Sequence, residues 1–174
     1  SRCRIRKSTR YSVQHKIITR TMFSFFKRPA DDFFSTPEKE EILAAVKQAE
    51  LNTSGEVRVY IEHRCRFVDP IDRAAEVFYS LKMEQTVNRN GVLVYVAVKD
   101  RQLAIFADEG IFQKAGADFW KKEVQQMLRA FNKENYALGI ATTVKQIGEV
   151  LSINFPYEAG TDKNELPDDI VFGK

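Results

Sequence analysis

Seven apolar residues, Val92-Leu93-Val94-Tyr95-Val96-Ala97-Val98, follow one another without a polar interruption. A half-exposed strand alternates apolar and polar side chains, so a β-branched run of this kind predicts a strand covered on both faces. Layers of helix above and below a sheet meet that demand. A chain of 174 residues has room for one such domain, at ~100–200 residues each.

The flanking segments supply the other elements. Thr36-Pro37 places a capping hydroxyl before a proline, and a helix follows to about Leu51 with Ile42, Leu43, Val46 and Ala49 on its apolar stripe. Residues 56–62 alternate, with Val57, Val59 and Ile61 on a core face and Glu56, Arg58, Tyr60 and Glu62 on the other. Asp69-Pro70 opens a second helix with Asp72 three residues after the cap, and its stripe is Ile71, Ala74, Ala75, Phe78 and Leu81. Lys99-Asp100-Arg101-Gln102 is a tight polar link into Leu103–Ala107, which makes a hairpin. Two further helices span about 117–131 (Trp120, Val124, Met127, Leu128 and Phe131 inward) and 136–153 (Ile140, Val144, Ile147 and Leu151 inward). The expected fold is a three-layer α/β/α sandwich around a small mixed sheet, a β-α-β unit plus a hairpin. From Pro156 the chain reads as a surface tail whose Phe155, Tyr157, Leu166, Ile170 and Phe172 cover apolar surface.

Charge divides the chain unevenly. Seven of its 27 basic residues and none of its acidic ones lie in residues 1–21, leaving 20 basic against 24 acidic groups in residues 22–174. The folded part is therefore mildly acidic, which argues against a nucleic-acid partner. Residues 1–21 have no apolar period and read as a disordered extension, either a non-native or a targeting segment, with Met22 as a natural start. A start there implies a cytoplasmic protein, since Phe23–Phe26 is too short for a signal segment and no window suits a membrane span. Five of the 13 phenylalanines fall in residues 22–35, and they either pack on the domain's own helices or form a docking peptide. The single domain proper occupies residues 36–174, and a monomer is expected.

The chain contains no phosphate-binding glycine loop, no C-x-x-C, no H-E-x-x-H and no G-x-S-x-G. Its two histidines and two cysteines leave little for zinc or triad chemistry; His63 and Cys65 would share a face only if the strand ran that far. Arg73 and Arg101 are candidates to hold a phosphate or are simply solvated. The topology brings Glu56, Asn88–Gly91 and Asp108-Glu109 to one end of the sheet, with Asp69, Asp72 and Asp100 at the other. Glu56, Asn90, Asp108 and Glu109 are thus candidate oxygen ligands for Ca²⁺ or Mg²⁺, with Asp168 and Asp169 of the tail as possible helpers. Asp108-Glu109-Gly110 reads equally as a plain turn.

Six segments occur in order at characteristic intervals: Ser54-Gly55-Glu56-Val57-Arg58-Val59, Asp72-Arg73-Ala74-Ala75-Glu76-Val77-Phe78, Arg89-Asn90-Gly91-Val92-Leu93, Lys99-Asp100-Arg101, Asp108-Glu109-Gly110-Ile111 and Asn164-Glu165-Leu166-Pro167-Asp168. Together they resemble the TPM domain family, named for a thylakoid lumen protein, a photosystem II repair protein and a modulator of acetylcholine receptors, and most of all its short bacterial members without signal peptide or membrane anchor. The resemblance covers about Thr36 to Gly173 and implies an α/β sandwich. It implies divalent-cation binding in an accessory or protein-interaction module, or, as the alternative, a metal-assisted acid phosphatase; other proteins or a membrane-protein complex are the implied partners. Many relatives have a Gly-Tyr-Gly-like loop where this chain has Asp108-Glu109-Gly110, which adds charge suited to a cation and departs from a shared catalytic pattern. The catalytic residues, if any, are not marked.

Overall fold

The computed structural model describes residues 30–157 and 169–173. The expectations for residues 1–21 and for Phe23, Phe25, Phe26, Leu166 and Asp168 lie outside the described residues.

The helix α1 (Thr36–Glu50) is capped by Ser35, one residue earlier than expected. The Ser35 backbone N–H and hydroxyl both donate to Glu38, at 2.8 and 2.6 Å, so the third helical residue reaches back to close the first turn. Ile42, Ala45, Val46 and Ala49 are its buried face. The strand β1 (Glu56–Glu62) follows, then α2 (Pro70–Ser80), capped as expected by Asp69, whose carboxylate accepts from the Ile71 N–H at 3.1 Å. The apolar run is β2 (Gly91–Ala97), buried at every position. The hairpin leads to β3 (Gln102–Ala107), and α4 (Ala117–Asn132) and α5 (Tyr136–Asn154) occupy the expected spans.

Two elements depart from the sequence reading. Asp108-Glu109-Gly110 is no turn: Asp108 caps a short helix, α3 (Glu109–Ala115). The tail also adds an edge strand, β4 (Ile170–Phe172).

The sheet order is β3-β2-β1-β4, with β1 parallel to both β2 and β4 and β3 antiparallel to β2. On one face, Val57, Val59, Ile61, Val92, Val94 and Val96 pack with α1, α4 and α5 in the main core. On the other, Leu93, Tyr95, Ala97 and Ala104 pack with Ala74, Val77 and Phe78 of α2. The three-layer sandwich is therefore as expected, and each side of β2 meets apolar partners.

The alternating strand holds a surprise. Both faces of β1 are buried, and its nominally polar side chains Arg58 and Glu62 are 6% and 4% exposed. Alternation reports the character of a face, while what the rest of the chain lays over it decides burial.

Of the aromatic N-terminal segment, Phe34 is buried in the main core, and Phe33 stands edge-on to Tyr136 at 5.2 Å. These two rings pack on the domain's own helices.

Candidate functional site

At one end of the sheet the loop 86–90, the first turn of α3 and the start of β1 come together. Glu56 pairs in register with Gly91, and the Asp108 N–H donates to the Gly91 carbonyl at 2.9 Å. The Asn90 side-chain amide donates to the Ser54 carbonyl at 3.2 Å, which ties this loop to the turn before β1. Gly110 explains why the loop lies so close to α3. A Cβ there would sit 2.7 Å from the Arg89 carbonyl oxygen and closer still to that of Asn88, so the residue is glycine because of close approach in a helical turn.

Asp108 is the hub. Its carboxylate accepts from the Glu109 N–H at 2.8 Å and takes Arg89 in a two-pronged pair, Nε at 2.7 Å and Nη2 at 2.6 Å. The Asp108 side chain is 4% exposed and the Arg89 side chain 47%. The pair holds the guanidinium's pKa above its ordinary range. Glu109 is exposed and accepts from Gln113 at 3.2 Å. Asn90 is 1% exposed, and its Oδ1 has no hydrogen-bond partner among the described residues.

Convergence at one sheet end therefore holds for Glu56, Asn90, Asp108 and Glu109. It falls short of a ready-made cage. Among the described residues no three His, Cys, Asp or Glu side chains form a group able to hold a metal ion. Asp169 goes elsewhere, pairing with Arg58 at the opposite edge of β1. The donor set fits a divalent cation in one way: Asp108 is a buried carboxylate that requires a positive partner, Asn90 offers an unsatisfied neutral oxygen, and Arg89 must give way.

Across the sheet, a second polar cluster escaped the sequence reading. Arg73 of α2 donates to both oxygens of Glu62, Nε at 3.0 Å and Nη2 at 2.9 Å, and to Glu76 at 2.9 Å. The Tyr95 hydroxyl donates to the same Glu62 carboxylate. Burial, with Cys65 and Glu62 beside it, pushes the Tyr95 phenol far above its ordinary pKa. Glu62 was legible only as the outer face of a strand. Arg73 is thus occupied by carboxylates, and Arg101 stands apart with Glu134 at 3.8 Å, so these two arginines do not form a phosphate clamp.

β1 ends at Glu62, and His63 and Cys65 lie in the loop beyond it. The Cys65 N–H donates to Asp100 at 2.9 Å, and burial pushes the thiol's pKa up, the opposite of what a nucleophile needs.

A family model for the TPM domain matches residues 29–150. The chain belongs to the TPM domain family. It is 38% identical to the BA42 protein of the psychrophilic bacterium Bizionia argentinensis, whose NMR structure it matches with a TM-score of 0.74 over 81% of this chain and 96% of that one. Two more distant structures share the fold alone. The N-terminal domain of the cg2496 protein of Corynebacterium glutamicum is 13% identical, with a TM-score of 0.58 over 88% of this chain and 99% of that one. The N-terminal domain of a P. gingivalis protein is 16% identical, with 0.60 over 72% and 82%. No curated protein matches the chain. Among the described residues of this TPM domain, no helix is long and apolar enough to cross a membrane.

Proposed function

We propose that this TPM domain is a binding module for a divalent cation, Ca²⁺ or Mg²⁺, held by Asp108 with Asn90, Glu109 and Glu56 around it, and serves other proteins as an accessory. The observation that supports the reading is the contrast within one ion pair. Asp108 is almost wholly buried, while the side chain that balances its charge is half in water. A buried carboxylate needs a counter-charge. The half-exposed Arg89 supplies one on a long, flexible arm whose charged end already reaches water. A small hard cation competes for the same position, taking the Asp108 oxygens and the spare Asn90 Oδ1 and completing its shell with water, as Mg²⁺ does when it binds through one or two carboxylates.

The exchange sets the expected behaviour. Addition of Ca²⁺ or Mg²⁺ to ¹⁵N-labelled protein shifts the amides of residues 88–91 and 108–111 together, with saturation in the millimolar range. Asp108→Asn abolishes those shifts. Arg89→Gln removes the competitor and tightens binding. Shifts confined to Asp69, Asp72 and Asp100 would overturn this site. Turnover of p-nitrophenyl phosphate that requires Mg²⁺ and Asp108 would favour the phosphatase reading, for which the sequence marks no nucleophile and Arg73 is already held by Glu62 and Glu76.

A further inference from the structure

We propose that the outer edge of β1 is a peptide-docking edge, covered in this structure by the chain's own strand β4, and that it takes an extended segment of a partner protein by strand exchange. The segment it fits carries an acidic residue followed by an apolar, a variable and a second apolar residue, then glycine. This reading is independent of the cation site.

The edge needs a cover, because an open strand presents a row of unpaired backbone groups. Its cover is slight. β4 pairs with β1 in parallel over three residues, Val59↔Ile170, Tyr60↔Val171 and Ile61↔Phe172, with the Gly173 N–H adding a bond to the Ile61 carbonyl at 2.8 Å. All three β4 residues are half-buried, and none is fully enclosed. β4 packs chiefly on β1 and α1, so few contacts with other elements hold it at the edge.

Each position of the strand meets a distinct feature of the edge. Ile170 and Phe172 pack against the main core, and the Lys39 ammonium lies 5.5 Å above the Phe172 ring. Gly173 crosses Tyr60 and Glu62 where a Cβ would come 2.9 Å from the Glu62 Cβ and closer still to the Tyr60 hydroxyl, so a side chain is excluded there. Asp169 pairs with Arg58, whose side chain is 7% exposed while that of Asp169 is 52%. The Arg58 Nε has no acceptor among the described residues. A deeply placed guanidinium with a donor to spare favours a carboxylate that takes it with two oxygens, which the Asp169 contact does not do. Main-chain pairing supplies affinity and alternate side chains supply selection, as in other cases of strand addition to a sheet edge.

The test uses the full chain and a fluorescein-labelled synthetic peptide, Asp-Asp-Ile-Val-Phe-Gly-Lys, which repeats residues 168–174. Gly173→Val weakens the chain's own strand and leaves β1 intact. The labelled peptide is expected to bind Gly173→Val at least about ten-fold tighter than the wild-type chain. A peptide with valine in place of its glycine should fail to bind. Adding Arg58→Gln to Gly173→Val should weaken binding by roughly ten-fold or more, the value of a charge-assisted hydrogen bond. Equal binding to both chains, or no binding to either at millimolar peptide, would overturn the proposal. A concentration-dependent dimer of the wild-type chain that Gly173→Val abolishes would also overturn it, in favour of a strand exchanged between copies. Where Gly173→Val does not fold, the wild-type chain decides by competition: millimolar peptide must shift the amides of residues 57–62 together with those of Val171 and Phe172, and their constancy would refute exchange.

Discussion

Two carboxylates in helices show how placement alone reverses the effect of pH. Glu38 accepts from Ser35, which lowers its pKa from the ordinary 4.5. Its contribution is present above that value and is lost as pH falls through the lowered folded one. Glu123 is fully buried on α4, and burial raises its pKa from the same 4.5. The folded state then holds a proton that the unfolded state releases, so stability falls as pH rises from 4.5 through the raised value. Glu123→Gln keeps the shape and removes the charge. Its melting temperature should match the wild type near pH 4 and exceed it increasingly toward neutrality; a constant difference across that range would show that Glu123 does not titrate in the folded protein. Glu62 is the contrasting case, a buried carboxylate with its counter-ion supplied. Arg73→Ala strands it, and chemical denaturation should show a loss of about 3 kcal/mol.

At the scale of elements, α3 is the piece that the pattern of residues concealed. Seven residues are too few for a helical period, and Asp-Glu-Gly reads as turn chemistry, so the glycine pointed the wrong way. Two glycines, Gly110 in its first turn and Gly116 at its C-terminal cap, make the distinction testable. Gly110→Ala places a methyl group against the carbonyls of Asn88 and Arg89 and should cost about 1–3 kcal/mol, the price of overpacking, with shifts in the 86–91 loop. Gly116 has open space around it but sits at φ 80° and ψ 156°, a region reserved for glycine. Gly116→Ala should therefore lose about 1–3 kcal/mol as well, with no displacement of neighbouring amides.

For the molecule as a whole, the described sheet is completed by β4. Removing residues 169–174 uncovers part of Ile170 and Phe172's packing surface, opens the edge of β1 and leaves Arg58 without Asp169. Burial of two half-covered side chains is worth roughly 2–3 kcal/mol before ordering costs. Urea unfolding of the truncated chain should show a loss of about 1–3 kcal/mol, a sizeable share of a domain stability of ~5–15 kcal/mol. A truncated chain as stable as the full one would mean that β4 contributes recognition without stability.

The layered fold was legible because its signals are local. An apolar run without alternation requires two covering layers, and the stripes at helical spacing on α1, α4 and α5 name those that cover one face; Ile140, Val144, Ile147 and Leu151 are all fully buried. Asp69 before Pro70 marked its helix for the same reason, since capping involves neighbours in the chain. The meeting of Glu56, Asn90 and Asp108 at one sheet end also followed, because strand order and direction determine which loops share an end. What no local pattern carries is the partner of a charge. Arg89 and Asp108 lie 19 residues apart, Glu62 and Tyr95 33, and Arg58 and Asp169 111. Whether a carboxylate is left for a cation or a guanidinium for a peptide is decided by what folding brings beside it, and only the tertiary structure supplies that.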